Sequence, residues 1–519
     1  MNWWVYSAMP RNPYQRVRKV LSDPYDASAT LILSALTVFN VVRANLLPVT
    51  HDESRVYREH IRLGLVHIWK TYHESNHTLQ SMVSFCATDL FGVSLLSLRL
   101  GSLVGGVIYG LACVRLSRVY TRSPLSFVLT LVALTANPIV LDYSVLARGY
   151  SLALGFFTAA LAVCAIELNS QLTHSEWKQT LLRSLAISCL CGLSVASNLA
   201  FAFANTSLIV VFFCWSSIRL LRNSGLQSRW EKARLNTLAL CLPGGVLFLG
   251  LDPAILRIRG ASLYYGTKSW VEFHGSLLSI MVADPPEALV SLRLAQPSHY
   301  LPAALGIFVL LYAALVFVPR LVKSTARPDQ AASNWLLVGL ILGMTMLLHE
   351  IVHDFFGIPL PSDRTGLFFV PLGILLVSSS IEGLRNVAGN LLLRVGQFGL
   401  AVLVLYFIAF LRVSYVYTWR FDAGGREVTS LLSTYCREHQ INRIGVEWYL
   451  TSAMRFYPIL DPAIHLPEMV EIFRDIKSSP ESLYVLSSRQ HYLMGDEHLK
   501  VIYEHPVSRV VVAIPRVGE

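Results

Sequence analysis

The chain has 519 residues, of which 54% are hydrophobic and only 15% are charged, and its mean hydropathy is +0.50. This composition excludes an ordinary soluble domain and predicts an integral membrane protein that contacts membrane lipids. The formal net charge of +10 falls largely in short basic loops and in the C-terminal region, so we expect no nucleic-acid partner.

Apolar stretches long enough to cross a hydrocarbon core of ~30 Å recur through most of the chain. They lie at residues 28–47, 94–113, 125–142, 150–168, 183–201, 203–220, 236–251, 302–318, 334–350, 365–381 and 391–412. They predict about eleven transmembrane helices. Basic residues concentrate in the loops near 115–122, 219–234 and 320–327. The positive-inside rule makes these loops cytoplasmic, together with the N-terminal segment 1–27.

The same orientation places the long polar loops and everything after about residue 418 on the outer side of the membrane. We therefore expect a transmembrane domain over 28–418, whose first outer loop spans 48–93, and an extracytoplasmic domain over 419–519. Charged and apolar residues alternate at helical spacing over 53–70, which predicts an amphipathic helix on the membrane surface.

The residues after 418 mix charged side chains with short apolar runs, which is typical of a small α/β domain. Strands are expected at 443–448, 483–488 and 510–515, and helices at 427–438 and 467–477. The predicted fold class is thus an α-helical polytopic membrane protein with a small C-terminal α/β domain.

One short motif points to a different chemistry. Residues 349–353 read His-Glu-Ile-Val-His, the H-E-x-x-H pattern in which two histidines bind zinc and the glutamate serves as the base of a metalloprotease. Such a site needs a third ligand, but Phe356 and Pro359 occupy the positions of the glycine and histidine in the extended motif. A membrane-embedded zinc protease stays an alternative, beside a helix end rich in aromatic residues and histidines at the membrane interface.

A pair of acidic residues, Asp52 and Glu53, follows the first predicted span directly. Adjacent carboxylates at a membrane boundary can accept a proton from a hydroxyl, and their surroundings can raise the pKa of one of them. Asp52 also suits the N-cap of the helix that follows, where a short acidic side chain accepts backbone N–H groups. The two residues alone leave both interpretations open.

Further motifs follow this acidic pair in a recognisable order. They are Asn76-His77, Phe91-Gly92, Arg99-Leu100, Ala147-Arg148 with Tyr150, and Pro361 with Arg364. Together with the pair, they resemble the polyprenyl-phosphate-dependent glycosyltransferases of the GT-C superfamily, in the group that includes protein O-mannosyltransferases and bacterial aminoarabinose transferases. The resemblance covers roughly residues 28–415. Leu146 replaces the acid of the family's E-A-R-x-Y motif, and Asp142 is the nearest substitute.

The resemblance implies a GT-C-type fold and an inverting glycosyltransferase of the bacterial inner membrane, with its active site on the outer face. The donor would be a sugar linked to polyprenyl phosphate, and the acceptor a hydroxyl of a glycan, a lipid or a protein. Asp52 would be the catalytic base beside Glu53, while Arg148, Arg364 and Tyr150 would hold the donor phosphate.

Supporting donors are expected from three histidines: His77, His349 and His353. The scheme requires no cofactor, and although acidic and histidine side chains could hold a divalent metal, no ligand spacing indicates one. A transporter or binding protein for lipid-linked glycans is a further alternative. Polar residues that cluster at one membrane face, rather than at mid-membrane, favour transfer over transport.

Overall fold

The computed structural model describes residues 23–73, 75–169, 177–223, 226–257, 265–273, 275, 330–473, 481–487 and 499–515. Within these residues the chain is mostly helical and carries a five-stranded sheet close to its C-terminal end, which confirms the predicted fold class. The N-terminal residues 1–22 and the predicted span at 302–318 lie outside the described residues.

The α-helices are α1 (Pro24–Leu46), α2 (His51–Glu59), α3 (Leu65–Lys70), α4 (Thr78–Phe91), α5 (Leu95–Tyr120), α6 (Pro124–Thr135), α7 (Pro138–Tyr143), α8 (Tyr150–Asn169), α9 (Trp177–Ser197), α10 (Ala202–Asn223), α11 (Leu226–Leu251), α12 (Gln330–Phe356), α13 (Phe369–Ala409), α14 (Gly425–Glu438), α15 (Trp448–Met454) and α16 (Tyr457–Leu460). Short 3₁₀ helices occupy Ile61–Leu63, Leu199–Phe201, Pro253–Arg257, Asp363–Gly366 and Tyr417–Asp422. The strands are β1 (Arg443–Glu447), β2 (Glu468–Ile472), β3 (Tyr484–Leu486), β4 (Leu499–Glu504) and β5 (Val511–Pro515).

Eight helical stretches among the described residues are long and apolar enough to cross a membrane. They are Pro24–Leu46, Leu95–Tyr120, Tyr150–Asn169, Trp177–Ser197, Leu199–Arg219, Trp230–Leu251, Gln330–Phe356 and Asn390–Ala409. Two shorter apolar helices, Pro124–Thr135 and Phe369–Gly383, occupy further positions where spans were predicted. These helices confirm an integral membrane protein.

The predicted span at 125–142 is wrong in its second half, because α6 ends at Thr135. A residue that precedes proline is disfavoured in helical conformation, and Asn137, before Pro138, adopts φ −57° and ψ 127°. The Asn137 side chain caps α7 instead, since it accepts a hydrogen bond from the backbone N–H of Ile139 at 3.1 Å. The chain therefore turns here, toward the segment that carries Arg148.

Helix α13 is assigned as one element of 41 residues, and a straight helix of that length would measure ~60 Å. However, a Cβ added at Gly396 would lie 2.8 Å from the side chain of Ile381, fifteen positions earlier. A straight helix would separate these two residues by ~22 Å. Ser378 and Gln397 also both bond to hydroxyl groups of α6. The segment thus reverses its direction and makes two passes, as the two spans predicted over this stretch require.

Glycines bring α5 and α8 into close contact. A Cβ added at Gly105 would lie 2.5 Å from a backbone nitrogen of α8, and one added at Gly155 would lie 2.6 Å from the Gly105 carbonyl oxygen. Small residues at such positions allow two membrane helices to pack backbone against backbone. This packing fixes the N-terminal end of α8, where the sequence predicts part of the site.

The C-terminal sheet has the strand order β2-β1-β3-β5-β4. Strand β1 is parallel to its neighbours β2 and β3, and strand β5 is antiparallel to its neighbours β3 and β4. The three predicted strands and the predicted helix at 427–438 are confirmed by β1, β3, β5 and α14. The helix predicted at 467–477 is wrong, because residues 468–472 pair with β1 as strand β2. Pairing with a neighbouring strand overrides a weak local helix pattern.

The amphipathic helix predicted over 53–70 forms in three pieces: α2, the 3₁₀ turn Ile61–Leu63 and α3. The last break lies at Gly64, whose φ of +94° is in the region that favours glycine. Helix α3 exposes Leu65, Val66 and Trp69. An exposed apolar face on a short helix is what a helix at the membrane surface presents.

Candidate active site

Helix α2 begins with a capping box in which Asp52 takes no part. The Thr50 hydroxyl accepts the backbone N–H of Glu53 at 3.3 Å, and the Glu53 carboxylate accepts the backbone N–H of Thr50 at 3.0 Å. Thr50, rather than Asp52, is therefore the N-cap. Because its side chain is not needed for capping, Asp52 is available for contacts with other parts of the chain.

Glu53 points into the protein and is fully buried. Its two oxygens accept hydrogen bonds from Arg99, Nε to Oε1 at 2.9 Å and Nη2 to Oε2 at 2.8 Å. The backbone N–H of Ala147 donates to Oε1 as well, at 2.7 Å. Burial opposes ionisation, but the Arg99 charge and these hydrogen bonds outweigh it and lower the pKa of Glu53. Glu53 thus connects α2 to Arg99 and to the backbone of Ala147, and its surroundings differ from those of Asp52.

Arg99 connects the end of α1 to the start of α2. Beyond Glu53, its guanidinium donates to the carbonyl oxygens of Ala44 and Leu47, both at 2.9 Å, and of Pro48 at 2.7 Å. A guanidinium carries five N–H donors in a fixed plane, and here all five are used. The sequence showed Arg99 as a family match without a role, whereas the structure assigns it to holding α2 in place.

The carboxylate of Asp52 lies between two arginines that come from distant parts of the chain. Its Oδ2 is 3.1 Å from Nη2 of Arg148 and 4.0 Å from Nη2 of Arg364. The exposed fractions of the three side chains are 17%, 6% and 13%, in the order Asp52, Arg148, Arg364. The structure therefore brings these three predicted site residues together in a recessed, charged cluster.

Arg148 is held by the short segment between α7 and α8. The Ala147 N–H bonds Glu53, as described, and the Ser102 hydroxyl donates to the carbonyl oxygen of Leu146. A Cβ added at Gly149 would lie 1.8 Å from the Ser197 carbonyl oxygen, so only glycine fits beside Arg148. Leu146 contributes a backbone carbonyl at the position where the family motif has an acid.

Tyr150 and His77 line the same region. The ring of Tyr150 lies 5.4 Å from that of His77 and 4.9 Å from that of Tyr143. Burial, followed by the charges of Arg148 and Arg364, holds the pKa of His77 well below its usual value. His77 is therefore a neutral imidazole near two guanidinium groups, and it can donate or accept one hydrogen bond without adding charge.

Several buried nitrogen atoms in this cluster have no hydrogen-bond partner within the described part of the chain. They are Nε and Nη1 of Arg148, Nε of Arg364, and Nε2 of His77. Buried polar groups are normally paired, because an unpaired one loses its hydration without compensation. Unpaired guanidinium nitrogens beside a recessed carboxylate make this a site that can bind an anion with several oxygens.

Arg364 contacts two aromatic rings. Its guanidinium carbon lies 4.0 Å from the ring centre of Tyr265 and 5.6 Å from that of Trp419, distances typical of cation–π contacts. The Tyr265 hydroxyl donates to Asp363 at 3.2 Å. Neither ring was predicted as a site residue, since nothing in the local sequence places 265 or 419 near Arg364.

The two histidines of the H-E-x-x-H motif have separate surroundings. The ring of His349 packs edge-on against Phe203 at 4.7 Å and stacks on Phe368 at 6.0 Å. Nδ1 of His353 lies 2.8 Å from the carbonyl oxygen of Ile358. Across the described ranges, no three His, Cys, Asp or Glu side chains are arranged to hold a metal ion. A zinc-protease site would therefore lack a third ligand among the described residues.

Asp142, the substitute considered for the missing acid, is engaged elsewhere. It pairs with the buried Arg43, and its Oδ2 accepts the backbone N–H of Tyr417 at 3.0 Å. Asp142 therefore joins α1 to the segment that leads into the C-terminal domain. The structure does not bring it to the Asp52 cluster.

The comparisons with known proteins give matches among solved structures. No protein-family model matches the chain, and no curated protein matches it. The chain is similar to the apo crystal structure of ArnT from Cupriavidus metallidurans, with 13% identity, coverage of 93% of this chain and 97% of that chain, and a TM-score of 0.48. The structure of ArnT bound to undecaprenyl phosphate matches with 15% identity, the same coverage and a TM-score of 0.40.

The apo oligosaccharyltransferase of Archaeoglobus fulgidus matches with 13% identity, coverage of 89% of this chain and 70% of that chain, and a TM-score of 0.43.

Proposed function

We propose that this protein is an inverting glycosyltransferase that moves a sugar from a polyprenyl-phosphate donor to an acceptor hydroxyl at the outer face of the membrane. The observation that carries the proposal is the position of Asp52 between Arg148 and Arg364, at 3.1 Å and 4.0 Å. A base and two phosphate-binding groups in one recess are what such a transfer needs.

The arginines suit the donor phosphate. A polyprenyl phosphate leaves as an anion at neutral pH, so its departure needs positive charge rather than a general acid. Arg148 offers two unpartnered nitrogens and Arg364 one, counted among the described residues. A guanidinium binds two phosphate oxygens at once, and burial strengthens that interaction. The rings of Tyr150 and His77, 5.4 Å apart in the same region, would add hydrogen bonds to the phosphate.

Asp52 suits the acceptor. Its carboxylate would take the proton of the attacking hydroxyl while the hydroxyl oxygen bonds to the anomeric carbon and the bond from that carbon to the phosphate oxygen breaks. A single displacement of this kind inverts the anomeric carbon, as in single-displacement glycosidases. A phosphate that binds Arg148 would compete with Asp52 for the guanidinium, which would leave the carboxylate free to act as base.

The orientation follows from the distribution of charge. Basic residues in the loops between predicted spans place those loops in the cytoplasm, so the Asp52 cluster and the domain over 419–519 would be extracytoplasmic, in a bacterial inner membrane. The C-terminal domain packs on α2: the Tyr57 and Phe456 rings lie 5.1 Å apart. We infer that an acceptor, whether glycan, lipid or protein, approaches Asp52 beside this domain.

The test is to incubate the purified protein with a panel of sugars linked to undecaprenyl phosphate, the lipid bound to ArnT in one of the similar structures, and with a panel of glycan, lipid and protein acceptors, and to measure release of free lipid phosphate. We expect release from at least one donor, and weaker but measurable release in Arg148→Lys and Arg364→Lys, because an ammonium keeps the charge but lacks the planar fork. A wild type that binds undecaprenyl phosphate yet releases none from any donor and acceptor in the panel would contradict the proposal.

A further inference from the structure

The 3₁₀ segment Tyr417–Asp422, which links the membrane helices to the C-terminal domain, is fastened at both ends. At its start, the Tyr417 N–H donates to Asp142 at 3.0 Å. At its end, the Asp422 carboxylate accepts the backbone N–H of His51 at 2.8 Å. His51 is the residue before Asp52, so the end of this segment is fastened directly beside the candidate site.

Trp419 lies in the middle of this segment, with a backbone that departs from helical geometry (φ −118°, ψ 36°), and its side chain is buried. The guanidinium carbon of Arg364 lies 5.6 Å from the Trp419 ring centre, and the His51 ring stacks on the indole at 6.4 Å with an interplanar angle of 12°. One indole therefore contacts Arg364 and also the neighbour of Asp52.

Ion pairing alone does not fix Arg364. Its distance of 4.0 Å to Asp52 is longer than a hydrogen bond, and its Nε has no partner within the described residues. The guanidinium instead contacts two aromatic rings, with its carbon 4.0 Å from the ring centre of Tyr265 and 5.6 Å from that of Trp419. Stacking on a guanidinium face leaves the N–H groups at its edge available for a phosphate.

We propose that Trp419 is a positioning residue through which the C-terminal domain holds Arg364 in register with Asp52 for the transfer step. This inference rests on the proposed function. A guanidinium that can turn away from the donor phosphate loses the pre-organised geometry on which such catalysis depends, even though its charge is unchanged. The C-terminal domain then acts on the chemistry itself, in addition to any part in acceptor binding.

The test compares Trp419→Ala with Trp419→Phe, using Trp230→Ala as a matched control, because Trp230 is 76% exposed on α11. We expect the alanine variant to lower kcat/KM by roughly 10- to 100-fold, since a shift of ~1 Å in a positioned group can have that effect. The phenylalanine variant keeps an aromatic face, so its kcat/KM should stay within about threefold of the wild type. Equal losses in both variants would contradict the inference, as would full activity in the alanine variant.

A double variant separates positioning from a general structural role. If Trp419 acts through Arg364, adding Trp419→Ala to Arg364→Lys should cost little more than Arg364→Lys alone. Multiplied losses would show that Trp419 acts independently of Arg364 and would overturn the inference. If Trp419→Ala does not fold, Trp419→Leu replaces it in both comparisons.

Binding of undecaprenyl phosphate to the same preparations keeps the two proposals apart. A wild type that binds the lipid but transfers no sugar overturns the proposed function and this inference with it. An active wild type whose Trp419 variants are equally active overturns this inference alone.

Discussion

Asp52 and Glu53 are adjacent in sequence, yet their side chains lie in different surroundings. Successive residues of a helix point about 100° apart, so one carboxylate turns to the recess and the other into the packed interior. Arg99 satisfies both oxygens of Glu53, whereas Asp52 faces Arg148 and Arg364. We therefore expect Glu53 to stabilise the fold and Asp52 to take part in the reaction.

The substitution Asp52→Asn tests the proposed role of Asp52 as the catalytic base. Thr50 caps α2, so the amide should leave folding and binding of undecaprenyl phosphate intact. An amide cannot take a proton from the acceptor, and we expect turnover to fall by roughly 10²–10⁴. The measurement is lipid phosphate release under saturating donor. Glu59→Gln, on the same helix, is the control, and near-normal turnover of Asp52→Asn would show that the base lies elsewhere.

The substitution Glu53→Gln tests the contribution of Glu53 to the stability of the fold. Removing one partner of a buried ion pair leaves Arg99 with an uncompensated charge, which typically costs about 3–5 kcal/mol. We expect a clear fall in the unfolding midpoint of the detergent-solubilised protein, measured by denaturant titration. Glu59→Gln removes only a partly exposed pair with Arg55 and should change stability by ~1 kcal/mol or less. Equal stability of the two variants would contradict the assignment of Glu53.

At the scale of secondary-structure elements, the junction between α2 and α3 contains a group of histidines. The buried His60 ends α2, and its ring lies 5.6 Å from that of His67 and 5.4 Å from that of His73. Neither ring nitrogen of His60 has a partner among the residues that the structure describes. The junction therefore depends on His60 remaining neutral, because a charged imidazole there would be buried beside two others.

Stability of this junction should depend on pH. Burial, followed by the neighbouring His73, lowers the pKa of His60 from 6.5 to about 4. A lowered pKa in the folded state means that the stabilisation is present above pH 6.5 and is lost as the pH falls through about 4. We expect the thermal midpoint to fall over this interval in the wild type and to fall less in His60→Phe.

The control for this experiment is His439→Leu, which removes the exposed histidine directly after α14. Its thermal midpoint should follow the wild-type pH dependence. If His60→Phe and the wild type lose the same stability on acidification, His60 is not the responsible group.

At the scale of the whole molecule, the site is assembled from elements that are far apart in sequence. The charged groups come from helix α2, the α7–α8 loop and the 3₁₀ helix Asp363–Gly366. Trp419, in the Tyr417–Asp422 segment, contacts Arg364. Because the C-terminal domain packs on α2, its position is tied to that of Asp52. Domain and site must therefore share one side of the membrane.

Reporter fusions test this arrangement. A reporter fused after Glu519 should be extracytoplasmic, and one inserted in the segment 221–233 should be cytoplasmic, because the basic residues of that segment favour the inner side. Alkaline phosphatase and green fluorescent protein fusions give opposite readouts for the two locations. The same location for both reporters would contradict the proposed orientation.

The sequence by itself determined that the protein is an integral membrane protein, and it predicted the charged residues of the candidate site. Apolar runs and basic loops are properties of consecutive residues, so the membrane helices could be read directly from the chain. Asp52, Arg148 and Arg364 were found through a resemblance in the order of motifs, and the structure brings them together.

Only the tertiary structure decided how these residues are held. That Glu53 pairs with Arg99, that Asp142 is engaged with Arg43, and that Trp419 packs on Arg364 all depend on contacts between residues distant in sequence. Hydrophobic periodicity reports which residues are buried but not which partner each one meets. That the adjacent carboxylates of Asp52 and Glu53 have different partners therefore became visible only in the folded chain.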